Sequence, residues 1–359
     1  MKMKLNHPLL QQRILIFALF ATFLLATTCI VQADEIPDDN DMKHESHSHH
    51  QQNSVQRDHI HHVHKTGSWM FEYRFMRMQM EGLLDGDSNV SATDVVKMGS
   101  PYTNSIGGNY MMAPTAMNMD MHMLMAMYSS SENLSWMSMV GFLNNKMDMV
   151  AASGASSTME SSGFGDLRVG AMYKLYDKNS SRFLTNLELS LPTGSITEED
   201  SQGILPYDMQ LGSGTYDLTP SVTYRKIYEN LDWGIQGSRT FRLNNNNLNY
   251  ALGNRTDGQA WIKLSLLKDT SITGRVTFSD WQKIAGNADA ITMMQRNMSP
   301  TFDVENSGGT RWDASMGISH MFESGHILGI EYGVPIQQKL NGLQMKMKRI
   351  YSVSWQYLL

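Results

Sequence analysis

From residue 68 onward the chain changes character at every second residue. Near its end, Tyr351, Val353, Trp355, Tyr357 and Leu359 fall on one side, and Ser352, Ser354 and Gln356 on the other. Upstream, Leu167, Val169, Ala171, Tyr173 and Leu175 alternate with Arg168, Gly170, Met172 and Lys174. Ile272, Gly274, Val276 and Phe278 alternate with Thr273, Arg275 and Thr277. A period of two belongs to a strand with two unlike faces, not to a helix. Each segment is about ten residues or slightly longer, enough for a tilted strand to cross a bilayer core.

About twelve such segments can be counted, at roughly 68–80, 116–128, 133–144, 164–176, 182–192, 215–226, 231–241, 257–267, 270–281, 311–322, 326–335 and 347–358. Short connections (129–133, 177–181, 227–230, 268–270, 323–325) mostly alternate with long ones (81–115, 145–163, 193–214, 242–256, 282–310). A soluble β-sandwich or propeller also alternates along its strands, but its connections need not alternate in length. Short turns on one side and long loops on the other are the habit of transmembrane barrels, which also leave no sheet edge open. The expectation is an all-β chain: an antiparallel transmembrane β-barrel of about 12 strands over 67–359, in the outer membrane of a Gram-negative bacterium. An even strand number puts both ends of the barrel in the periplasm.

Two segments precede the barrel. Lys2, Lys4 and Arg13 lead into an apolar run, Ile14–Ala26, and Val31-Gln32-Ala33 offers small residues where a signal peptidase cuts. Residues 1–33 therefore read as a secretory signal peptide. Its removal takes away Cys29, the chain's single cysteine, and shifts the formal charge from −6 to −9. Residues 34–66 are polar and lack the apolar content for a core, so a disordered periplasmic tail is expected. The tail carries His44, His47, His49, His50, His59, His61, His62 and His64. Imidazoles at this density chelate zinc or Cu(II), either in a metal-collecting role or as weak incidental affinity.

Methionine is the compositional anomaly, with 30 in 359 residues. Met117, Met119, Met121, Met123, Met125 and Met127 hold every second position, so on a strand they share one face. Because methionine is apolar and charge at mid-bilayer is costly, the ladder is expected to face lipid, with Asp120 and His122 in the lumen. On 68–80 the apolar face is aromatic, which sends Met76, Met78 and Met80 inward with Glu72 and Arg74. Met147/Met149 and Met345/Met347 are expected at strand ends or in loops. Thioethers bind Cu(I) and Ag(I), so copper or silver handling is one expectation; apolar filler is the alternative. By the same alternation Arg168, Lys174, Glu188, Lys263, Arg275, Arg311, Asp313 and Glu331 point inward. They can form an ion-pair network that rigidifies the barrel or a polar constriction.

Other classes fit poorly. The mild acidity gives no basic surface for nucleic acid. A lone cysteine excludes a disulfide framework and cysteine-based zinc sites. The barrel's histidines are only His122, His320 and His326, none beside a nucleophile motif.

Six stretches, GSWMFEYRFMRMQMEG (67–82), MNMDMHMLMAMY (117–128), SSGFGDLRVGAMYKLY (161–176), LSLPTGSI (189–196), PYDMQLGSGTYDLTPSVTY (206–224) and WQYLL (355–359), carry a resemblance. The chain resembles the MetA-pathway phenol-degradation, or "transporter", family of outer-membrane proteins. That resemblance implies a β-barrel and a transport role, without naming a substrate or supplying binding residues. The expected function is passage or export of small solutes, with soft metal ions as one cargo. The alternatives are an aromatic or hydrophobic cargo, and a non-conducting structural or metal-sequestering protein.

Overall fold

The computed structural model describes residues 66–98 and 109–359. The signal peptide over 1–33 and the tail with His44 to His64 lie outside the described residues.

Seventeen strands follow in chain order: β1 Trp69–Gly86, β2 Ser88–Val90, β3 Met112–Ser129, β4 Leu134–Ala151, β5 Ser156–Phe164, β6 Leu167–Lys178, β7 Ser181–Leu191, β8 Glu199–Asp200, β9 Gly203–Ile204, β10 Asp217–Ile227, β11 Leu231–Arg242, β12 Tyr250–Ala251, β13 Arg255–Leu267, β14 Thr270–Trp281, β15 Ala285–Gly286, β16 Gly309–Met321 and β17 His326–Leu358. Eleven of them form a closed antiparallel ring in the order β17-β16-β14-β13-β11-β10-β7-β6-β4-β3-β1, with β1 pairing back to β17. β2 and β5 hang on the outside of this path, paired to β1 and β4. At the seam, Trp69 N donates to Leu359 O at 3.1 Å and Leu359 N returns the bond at 2.8 Å. Closure leaves no open edge in the eleven-strand ring, which hydrocarbon demands.

β17 is unlike the rest. It runs for 33 residues; its first part pairs with β16 up to Leu340, and its second part pairs with β1 from Leu340 to Leu358. Gly342 sits between the two parts with φ +68, a backbone state open chiefly to glycine. Residues 336–346, which lie between the expected segments 326–335 and 347–358, are thus strand.

β1, β3 and β4 also run on, to 18 residues each, well beyond the expected ends. The reason is chemical. Toward their long-loop ends the outward residues turn polar (Gln79, Asn118, Lys146), so the apolar-outside signal stops while the hydrogen-bond ladder continues.

The short turns carry their own signatures. Asn179 and Ser180, both at positive φ (51 and 61), join β6 to β7 as a two-residue turn with the right twist for a hairpin. At the opposite end, three connections fold over the barrel as a cap. Tyr207, Tyr250, Ala288, Ile291, Phe302 and Val304 form its core, and Tyr207 Oη accepts from Ala288 N at 3.0 Å. Burial pushes the Tyr250 phenol up to about 12, against a smaller opposing effect from Asn246. A second cluster ties cap to barrel: Val95, Leu205 and Met209 pack with Leu83, Met117 and Met147.

Candidate functional site: a thioether wall inside the barrel

Residues directly opposite on neighbouring strands share a face. Burial then says which face is inside. Along β3, Leu124 is 58% exposed, while Met125 and Met127 are 8% and 1% exposed. The methionine ladder therefore points into the barrel, and the expectation that it meets lipid is corrected. Asp120 and His122, expected in the lumen, lie instead on the outer surface. Arg77 there clasps Asp120 with two bonds of 2.6 Å, and Tyr73 Oη lies 2.8 Å from His122 Nδ1.

The error has a definite cause. The outer face of β3 is apolar only over Leu124, Ala126 and Tyr128. Above these it is polar. Trp69, Tyr128 and Trp136 stand opposite one another as an aromatic rung at the short-turn end. The Arg77–Asp120 pair marks where the apolar belt stops on this side.

The rungs across this wall can be read from the register. Met70, Met127 and Met137 are opposite one another; so are Glu72, Met125, Met139 and Arg168. Met76 faces Met121, and Met78 faces Met119. At the long-loop end one rung is methionine on five strands: Met347, Met80, Met117, Met147 and Met159. Met76, Met78 and Met80 are thus inward. Met147, Met149, Met345 and Met347 lie within β4 and β17 rather than in loops. Met70, Met159 and Met172 join the wall without having been singled out in the sequence. Each occupies an alternation slot, but only the register reveals its partners.

The opposite wall is polar. Arg275 reaches Glu331 at 3.3 Å and Gln259 at 2.7 Å, and Ser315 donates to Glu331 at 2.5 Å. Arg311 pairs with Asp313 at 2.9 Å. The methionine wall carries charge too: Glu72, 4% exposed, accepts from Arg74 at 2.8 Å. Lys174 sits inward at the short-turn end, 3.3 Å from Asp177. Arg168 and Glu188 are 3.7 Å apart. The Arg168 side chain faces inward yet is 50% exposed, so open space lies beside it inside the barrel. The most buried pair, Arg225 with Asp232, was not among the inward charges the sequence suggested, because the alternation around the 228–230 turn is short. Among the described residues, no three His, Cys, Asp or Glu side chains gather into a metal-holding group. Tyr73 Oη lies beside His122, and Thr270 Oγ1 lies 2.9 Å from His320 Nδ1.

The three motifs that carried the family resemblance meet at one point. Asp166 of GFGDL accepts from Gly194 N of LPTG at 2.9 Å. It also accepts from Ser213 N and Ser213 Oγ of LGSGTYD, both at 2.8 Å. Thr193 Oγ1 accepts from Leu167 N at 2.8 Å. A Cβ on Gly212 would lie 2.5 Å from Gly194 O, so only glycine allows this approach. The motif set fastens the cap to the rim. Asp166→Ala removes an acceptor of three bonds, each to a charged group and worth about 1.5–3 kcal/mol when buried. Chymotrypsin should then cut after Tyr207 at least about tenfold faster, because local opening sets that rate, while the barrel still resists SDS unfolding at room temperature. Unchanged cleavage would refute the fastening role.

No protein-family model and no curated protein matches the chain. Solved structures do. A crystal structure of an outer membrane channel from Pseudomonas putida F1 superposes over 85% of this chain and 100% of its own, with a TM-score of 0.58 at 12% identity. The P. putida toluene transporter TodX aligns over 82% of this chain and 90% of its own, with a TM-score of 0.44 at 8% identity. A NanC porin aligns over 79% and 98%, with a TM-score of 0.39 at 9% identity. The first of these shows the fold: a closed antiparallel barrel of the outer-membrane channel type.

Proposed function

We propose that this chain is an outer-membrane barrel for passage of small solutes, and that its cargo is a soft monovalent metal ion, Cu(I) or Ag(I). The observation that carries this reading is the inward methionine wall, continuous from the cap to the short-turn end. A lipid-facing ladder would have needed no chemistry. Inside the barrel, a run of polarizable sulfurs is a donor surface for soft cations and a poor one for hard ions. The charged pairs of the opposite wall keep that side hydrated.

On this reading the two parts of β17 are two crossings, giving twelve strands in all. An antiparallel ring closes without a parallel pair only when the number of crossings is even. The short-turn end then faces the periplasm. The His-rich tail over 34–66 joins β1 there, and its eight imidazoles serve as a collector for Cu(II) or zinc beside the pore.

The test is flux. In proteoliposomes containing the full chain, Ag(I) should enter at a rate that falls at least about tenfold when Met80, Met117 and Met147 are all changed to Leu. Leucine keeps the wall apolar but removes the sulfurs. Potassium conductance should stay within about twofold of the unsubstituted protein. An equal Ag(I) rate in both proteins would overturn the metal reading and favour a hydrophobic solute sliding along an apolar wall. Absence of any conductance in planar bilayers would favour a closed, sequestering barrel.

A further inference from the structure

The short-turn end of the lumen holds a second, separate gathering of methionines. Met70, Met125, Met127, Met137 and Met172 are all buried there with Leu184, and Met139 packs against them. Six of these seven side chains are thioethers. A hydrophobic core normally uses methionine sparingly, because its flexible chain specifies packing poorly beside Leu, Ile, Val and Phe. The residue choice therefore points to sulfur rather than to bulk.

Three features of the backbone favour convergence. Met70, Met127 and Met137 lie directly opposite on adjacent strands β1, β3 and β4, where facing Cβ atoms are about 4.5–5.5 Å apart. Flexible methionine side chains can then bring their sulfurs to one ion. Next along the rung is Gly170, where an added Cβ would lie 3.3 Å from Met137 Cγ, so the missing side chain leaves Met137 its place. One rung further in, the buried Glu72 carboxylate, paired with Arg74, stands opposite Met125. The cap cluster at the other end lacks this purity, mixing its methionines with Leu83, Val95, Val96, Tyr110 and Leu205.

We propose that Met70, Met127 and Met137, with Met125 and Met172 around them, form a discrete binding site for a soft d10 monovalent cation at the short-turn mouth. The site deepens the metal-passage reading and rests on it for its role: it is the last station on the wall, next to where the chain enters from the His-rich tract. In the sequence, His64, the last histidine of that tract, precedes Met70 by six residues.

The probe is Ag(I), titrated into the full detergent-solubilised chain at about pH 5, where imidazoles are protonated and withdraw from competition. The unsubstituted protein should bind Ag(I), with an X-ray absorption spectrum showing sulfur alone in the first shell. Changing Met70, Met127 and Met137 together to Leu should remove one equivalent or weaken it at least about tenfold. Changing Met80, Met117 and Met147 should leave that equivalent in place. Should the triple variant fail to fold, Met127→Leu alone, with its smaller packing change, should still weaken binding measurably. Equal stoichiometry and affinity in the Leu variants would overturn the site. Ag(I) flux that persists while the equivalent is lost would overturn its role on the pathway and leave the passage reading standing.

Discussion

Replacing Asp232 with alanine should destabilise the barrel by about 3–5 kcal/mol, the largest single-residue effect expected in this molecule. Arg225 and Asp232 face each other across the β10–β11 hairpin, on the inner wall close to the short-turn end. The guanidinium donates two parallel bonds, Nε at 2.8 Å and Nη2 at 2.7 Å, and the side chains are 3% and 6% exposed. Fork-to-fork geometry of this kind is the strongest an ion pair attains. Removing the carboxylate strips two charge-assisted bonds from a guanidinium that cannot give up its proton. Lys263 stands directly opposite Asp232 on β13, so the loss also leaves two neighbouring cations less compensated. Asp232→Asn, which keeps one acceptor oxygen, should fall between. The double variant Arg225→Met/Asp232→Leu should recover most of the loss, since a matched apolar pair often equals or exceeds a buried ion pair. The urea midpoint of unfolding in detergent, followed by the shift of the folded band on unheated gels, reads the difference. A midpoint for Asp232→Ala equal to the unsubstituted value would show that the pair is incidental to stability.

Much of this architecture was legible in the sequence. The period of two, the alternation of short and long connections and the aromatic-rich terminal strand led to a closed antiparallel barrel, and each rests on backbone chemistry that tertiary context does not change. The side assignments were less secure. On β1, four aromatic residues mark the outer face, which sends Met76, Met78 and Met80 inside, where their register partners are Met121, Met119 and Met117. On β3, both faces offered a plausible lipid surface. Methionine won by hydropathy, and Asp120 and His122 were sent inward. What reverses that choice is nonlocal: the pairing of Met119 with Met78 and of Asp120 with Arg77. No single strand contains this information. The same limit hid the five-strand methionine rung, whose members are spread from Met80 to Met347. It also hid the role of the GFGDL, LPTG and LGSGTYD motifs. Their glycines and Asp166 were specific as a pattern, but only the fold shows that they clamp one another.

The orientation of the β3 ladder can be tested by a pair of adjacent residues. Leu124 should lie in the middle of the lipid belt, between the Trp69–Tyr128–Trp136 rung below and the Arg77–Asp120 pair above. Met123, one residue earlier, points into the barrel opposite Arg74. Leu124→Arg should therefore cost about 2–4 kcal/mol, the toll for a cation near the midplane on a barrel's outer face. Cysteine labelling gives a second, independent reading in a chain whose single native cysteine is Cys29. With Cys29 changed to Ser, Met123→Cys should react with a water-soluble maleimide in proteoliposomes, because the lumen is wet beside Arg168. Leu124→Cys should stay unlabelled until detergent dissolves the bilayer. If instead Leu124→Arg proves neutral and Leu124→Cys labels as fast as Met123→Cys, the ladder faces lipid. The thioethers then line no passage, and both metal proposals lose their footing. If the two residues differ as expected, a strand with methionine at six alternate positions spends all six on the inside of a membrane barrel, where hydropathy alone gives no reason to put them. Leucine would pack such a wall equally well and more rigidly, so what remains to distinguish methionine there is the sulfur itself.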